Sequence, residues 1–179
     1  ALLTVTIDEA DYSLLFLHLK SKSEPVGLGL RDDQLAKAQK LKKKLDKAQP
    51  GAKRANFMVL GDLNTMGMKY IKGKGISGNL ELAKLDKDLA RKSVAMRRLT
   101  KAADASWWNG PGSSYPPGNL DHVLASDHLA FKKFNRLGDD GKAEVDVRGW
   151  PALATNAQKV QWINRYSDHG LLYLEAQKV

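Results

Sequence analysis

The stretch from Asn56 to Met66, NFMVLGDLNTM, constrains this chain more than any other. Four consecutive apolar residues, Phe57 to Leu60, run into Gly61, which is the pattern of a short buried strand ending at a tight turn. Asp62 and Asn64 follow two apart, and in extended backbone their side chains project on the same side of the strand end. A carboxylate and a neutral amide at the mouth of a sheet can hold a hydrated divalent metal, orient a water nucleophile and hydrogen-bond a phosphate oxygen. Gly-Asp-x-Asn is also ordinary turn chemistry, so its meaning depends on its company.

Three other segments share this construction, an apolar strand with His, Asp or Asn at one end. Leu14 to Leu17 runs into His18-Leu19-Lys20-Ser21, Leu120 to Leu124 carries Asp121 and His122, and Ser167-Asp168-His169 precedes Gly170 to Leu174. In this order HLKS, GDLN, LDHVLAS and SDH resemble the endonuclease/exonuclease/phosphatase superfamily, and the resemblance covers Leu2 to Leu174. It implies a deoxyribonuclease-I-like α/β fold, a two-sheet β-sandwich flanked by helices, and a metal-dependent phosphodiesterase.

The same resemblance implies a role for each polar residue. Asp168 is similar to the metal-binding aspartate, for Mg²⁺ with Mn²⁺ or Ca²⁺ as alternatives, and Asp62 and Asn64 join it as candidate ligands. Asp62 and Asn64 also resemble the pair that positions the nucleophile and contacts the scissile phosphate. His169 looks like the general base, and Asp121 like the carboxylate that fixes its tautomer. His18 matches the second histidine of the deoxyribonuclease-like branch, with Lys20 and Tyr115 on the substrate side. His122, adjacent to Asp121 on an alternating strand, faces away and reads as structural. The second Ser-Asp-His, at Ser126 to His128, reads as a turn. The six residues His18, Asp62, Asn64, Asp121, Asp168 and His169 are expected to converge on one cleft.

Family sequences begin with a strand carrying an Asn and a second strand ending in a metal-binding Glu. None of Glu9, Glu24, Glu81, Glu144 and Glu175 ends a buried strand in that manner. The expectation is therefore a single partial domain over 1–179 lacking its N-terminal strands and exposing the edge of its opening hairpin. An N-terminal segment or second chain would complete it, and alone it would be a poor catalyst.

Composition bounds the rest. A chain of 179 residues, 42% hydrophobic, is long enough for one full core. No run approaches the ~18 apolar residues of a membrane span, so a soluble protein is expected, cytoplasmic or secreted. The lack of cysteine excludes disulfides and thiolate metal sites. A net charge of +9 suits a polyanion, and equally a lysine-rich solubilising surface. It favours a nuclease acting on DNA or RNA. The alternatives are a phosphomonoesterase or lipid phosphodiesterase of the inositol-phosphate phosphatase or sphingomyelinase kind, or a silent partner-binding fragment. The expected absence of an exposed apolar hairpin disfavours the lipid case.

Along the chain, Leu2–Ile7 and Tyr12–Leu19 read as a hairpin, and a helix is expected from Asp32-Asp33, with Lys37, Lys40, Lys42, Lys43, Lys44 and Lys47 facing outward. Gly67 to Gly78 reads as a lysine-bearing surface loop, followed by a helix starting at Asn79. Leu82, Leu85, Leu89, Met96, Leu99 and Ala103 fall at helical spacing and read as core. Trp107 to Asn119 is a loop in which one Trp packs and Tyr115 meets substrate. Leu129–Leu137 and Ala143–Trp150 read as a hairpin, and Thr155 with Gln158 as a helix-capping box.

Overall fold

A computed structural model describes residues 1–177, which fall into two compact units. The first comprises Ala1–Arg98 and His122–Leu129; the second comprises Leu99–Asp121 and the chain from Ala130 onward.

The first unit is built on a five-stranded sheet of order β1-β2-β3-β5-β4, from β1 (Leu2–Ile7), β2 (Ala10–His18), β3 (Asn56–Asp62), β4 (Met96–Arg98) and β5 (Asp121–Ser126). Asp8 and Glu9, with φ of 49° and 64°, make the two-residue turn that joins β1 to β2 in the expected hairpin. β2 and β3 are parallel, so a crossover is required, and helix α1 (Pro25–Ala48) supplies it.

That helix begins at Pro25, seven residues before the start expected at Asp32. Pro25 sits in the first turn, where its missing N–H is not needed, and of the two early glycines Gly27 serves close packing while Gly29 faces open space. A Cβ on Gly27 would lie 2.2 Å from the Lys22 carbonyl oxygen. Lys42 is not on the outer face: it is fully buried and pairs with Asp46 at 2.6 Å.

Helix α2 (Gly78–Leu89) starts earlier than expected, capped by the Ser77 hydroxyl, which accepts from the Leu80 N–H. Leu35 and Ala38 of α1 and Leu85 and Leu89 of α2 form one core with Phe57, Val59, Met96 and Leu124 of the sheet. Met96 reaches that core from strand β4, not from a helix. Ala95, at φ 52°, breaks the helical periodicity read through to Ala103. β5 is buried along its whole length, whereas β1 lies at the sheet edge with Leu3 50% and Ile7 55% exposed.

The second unit carries β6 (Phe134–Asn135), β7 (Lys142–Ala143), β8 (Asp146–Arg148), helix α3 (Asn156–Arg165) and β9 (Leu171–Tyr173). The expected hairpin closes over only two residues per strand, Phe134 opposite Ala143 and Asn135 opposite Lys142. Beyond it the backbone is diverted: Glu144 and Val145 donate to the Thr100 carbonyl, Ala102 donates to Val145, and β8 pairs antiparallel with β9. α3 has the capping box, with Thr155 and Gln158 bonding each other's backbone N–H. Among the described residues no helix is long and apolar enough to cross a membrane.

Candidate active site

The first unit gathers His18, Asp62 and Asn64. The β2–β3 register sets His18 opposite Asp62, and the Leu19 N–H donates to the Asp62 carbonyl at 2.9 Å. Gly61 makes this close approach feasible. Its φ is 132°, and a Cβ there would lie 2.1 Å from the Leu17 carbonyl oxygen.

Asn64 is not extended as its spacing suggested but left-handed, at φ 51°. Its backbone N–H donates to Asp62 Oδ1 at 2.9 Å, so an Asx turn rather than strand alternation brings the carboxylate and amide together. Asn64 Nδ2 donates to Asp62 Oδ2 at 2.8 Å and to the Leu19 carbonyl at 3.1 Å. Both amide hydrogens are thereby spent, and Oδ1, an acceptor suited to a cation or to a water proton, carries the remaining chemistry. His18 Nε2 stands 3.6 Å from Asp62 Oδ2 with its side chain 78% exposed, so it is no core histidine. Lys20 is exposed, its backbone carbonyl accepting from Arg31.

The second unit gathers Asp121, Asp168 and His169. His169 Nδ1 lies 2.9 and 3.1 Å from the Asp121 carboxylate oxygens. Donation from Nδ1–H to the carboxylate fixes the tautomer in which Nε2 is the proton acceptor. Asp121 is gripped through its backbone, its N–H donating to Ser106 Oγ at 2.9 Å and its carbonyl accepting from Lys101 Nζ at 2.8 Å. Ser106 and Lys101 are both buried.

Asp168 is held by tryptophans. The Trp107 indole N–H donates to Asp168 Oδ2 at 2.8 Å, while the Trp150 indole and the Trp108 backbone N–H both donate to its carbonyl at 2.9 Å. Trp107 pairs in antiparallel register with His169, placing the indole beside the neighbouring aspartate. The aromatic loop therefore orients a carboxylate, a role that sequence reasoning missed because these partners are far apart in the chain. Trp108 packs on Trp150 with ring centroids 5.7 Å apart, and Tyr115 is 62% exposed.

Two histidines fall outside these groups. His122 is buried with Nε2 2.8 Å from Thr65 Oγ1. In the second Ser-Asp-His, Asp127 pairs with Arg54 and His128 with Asn56. Burial holds the His128 pKa below its ordinary value, with the Lys42 charge adding to the effect.

The loop after Asn64 corrects one expectation. Met68 and Ile76 exchange backbone hydrogen bonds of 2.7 and 2.8 Å, making a closed hairpin whose tip presents Ile71 fully exposed and Tyr70 half exposed. Lys69, Lys72 and Lys74 flank that tip, so an exposed apolar hairpin is present after all.

For a divalent cation the donors are carboxylate and amide oxygens. Among the described residues no group of three or more His, Asp or Glu is arranged to hold a metal. Mg²⁺ is ordinarily bound by one or two carboxylates with water and substrate phosphate completing its shell. Asp168, with Oδ2 oriented by an indole N–H and Oδ1 available as a ligand, fits that modest requirement, as do Asp62 and Asn64 Oδ1.

No protein-family model matches the chain, and no curated protein sequence does. Among solved structures, beta toxin 275-280 from Staphylococcus aureus superimposes with a TM-score of 0.54 at 16% identity, over 98% of this chain and 56% of that one. A β-hairpin deletion mutant of the same organism's beta toxin gives 0.47 at 19% identity, over 75% of this chain and 45% of that one. The chain thus spans about half the length of the structures it matches. What it shares with beta toxin is the fold, a mixed α/β architecture of the deoxyribonuclease-I-like kind.

Proposed function

We propose that this protein is a metal-dependent phosphodiesterase in which His169 is the general base. The carrying observation is the bidentate approach of His169 Nδ1 to Asp121, beside an Asp168 carboxylate already oriented by Trp107. Asp121 fixes the imidazole and supports its charged form while Nε2 draws the proton from the attacking water. Asp62 and Asn64, with His18 beside them, form in the first unit a polar group suited to contact a phosphate. A divalent cation held by Asp168 would polarise the phosphoryl oxygen.

For the substrate, a phospholipid head group is the first reading, as in a sphingomyelinase-type lipid phosphodiesterase. The Tyr70–Ile71 tip with its flanking lysines supports it, since an apolar tip ringed by cations suits a lipid interface. Nucleic acid is the second, favoured by the net charge of +9. The deciding experiment assays Mg²⁺-dependent release of phosphocholine from sphingomyelin vesicles beside cleavage of single- and double-stranded oligonucleotides, with His169→Ala as control. Head-group release lost in that variant supports the first reading. Oligonucleotide cleavage alone, with affinity falling steeply as salt rises, moves the assignment to the second. Hydrolysis of neither substrate, at an enzyme concentration at which a poor catalyst is detected, contradicts the phosphodiesterase reading.

A further inference from the structure

Arg31 of α1 is fully buried, and all five of its N–H donors are used. Nε and one terminal nitrogen form a fork with the Glu81 carboxylate, at 2.6 and 2.9 Å. The other donors go to main chain: the carbonyls of Lys20 and Lys22 at 3.1 and 2.7 Å, and that of Gly67 at 2.8 Å. Glu81 closes the arrangement by accepting the Gly67 N–H at 2.7 Å.

The segments so caught are those that leave the candidate site in the first unit. Lys20 and Lys22 follow His18, and Gly67 follows Asn64. A buried ion pair is seldom retained for stability, because an apolar pair of similar volume is often as stable or more so. An apolar pair, however, cannot accept and donate to four backbone groups at once.

We infer that Arg31 and Glu81 are positioning residues for the phosphate-contacting group His18, Asp62 and Asn64, fixing through backbone hydrogen bonds where both segments leave the site. Neither touches substrate. The inference rests on the phosphodiesterase reading for its effect on rate, but its effect on local order stands apart from that reading.

The test compares wild type with Arg31→Lys, Glu81→Gln and the apolar double variant Arg31→Met with Glu81→Leu. Amide hydrogen exchange, the thermal midpoint, kcat and KM, and the pH profile are measured for each. The expected result is faster exchange confined to 19–23 and 64–68 in every variant, at a thermal midpoint close to wild type in the double variant. The specificity constant kcat/KM should then fall about 100-fold, as misplaced groups do, with the pH profile set by His169 unchanged. Arg31→Lys should do no better than the double variant, because an ammonium cannot replace the fork. Unaltered exchange in both segments overturns the positioning role whether or not the protein hydrolyses anything. Faster exchange with undiminished kcat/KM overturns its link to catalysis. A wild type inert toward every phosphodiester overturns the functional reading, and localised loosening would then support the positioning role alone.

Discussion

The two units hold their polar groups by opposite means. In the first, Asp62 and Asn64 are arranged by their own backbone: a glycine that only a bare Cα fits, a left-handed asparagine and an Asx turn two residues long. In the second, Asp121, Asp168 and His169 are arranged by side chains from elsewhere, namely two indoles, a buried serine hydroxyl and a buried lysine. The first group thus depends on its own short turn and on the Arg31–Glu81 clamp behind it, the second on side chains scattered along the chain.

The largest effect should come from the second group. His169→Ala is expected to lower kcat/KM by about 10²- to 10⁴-fold, the usual contribution of a general base, and Asp121→Asn to approach it by presenting the wrong tautomer. Steady-state kinetics with a soluble phosphodiester measure both.

Next comes Trp107→Phe, which keeps an aromatic side chain of smaller size and deletes the N–H bonded to Asp168 Oδ2. The apparent Mg²⁺ affinity should drop about 10- to 100-fold with little loss of thermal stability, as found when groups orienting a metal ligand are removed. A metal titration of activity checks this, and an unchanged Mg²⁺ requirement would erase the contrast between the units.

Stability should distinguish regions within the first unit too. Leu124→Ala, in the fully buried β5, is expected to cost about 2–5 kcal/mol in urea unfolding, whereas Leu3→Ala on the half-exposed edge strand should stay within about 0.5 kcal/mol.

The smallest effect is a pH dependence. The His128 pKa is lowered from 6.5 by burial, so the unfolded chain takes up its proton first as pH falls. Its contribution to stability is therefore complete above 6.5 and is lost as pH drops through the lowered folded value. Denaturation at a series of pH values should show this loss, and His128→Gln should remove it.

The contrast also explains what was legible in the sequence. GDLN could be read directly because its partners lie two residues apart, although its left-handed turn could not be distinguished from an extended strand end. Trp107, Ser106, Lys101 and Arg31 went unread as site residues because each acts on a partner elsewhere in the chain, often on a carbonyl that carries no sequence signature. The early start of α1 was hidden by Gly27, which looks like a breaker and serves close packing. The false continuation of α2 came from a residue-count coincidence that Ala95 interrupts. The apolar strands and their polar ends were evident because burial imposes composition on them.

The most direct test is hydrolysis of a soluble phosphodiester by wild type, Asp62→Asn, His169→Ala and the double variant, measured with and without Mg²⁺. Wild type is expected to turn over substrate only with Mg²⁺, and each single variant to lose most of that activity. Comparing the double variant with His169→Ala measures whether the two losses add or overlap. Full activity in His169→Ala would contradict the account.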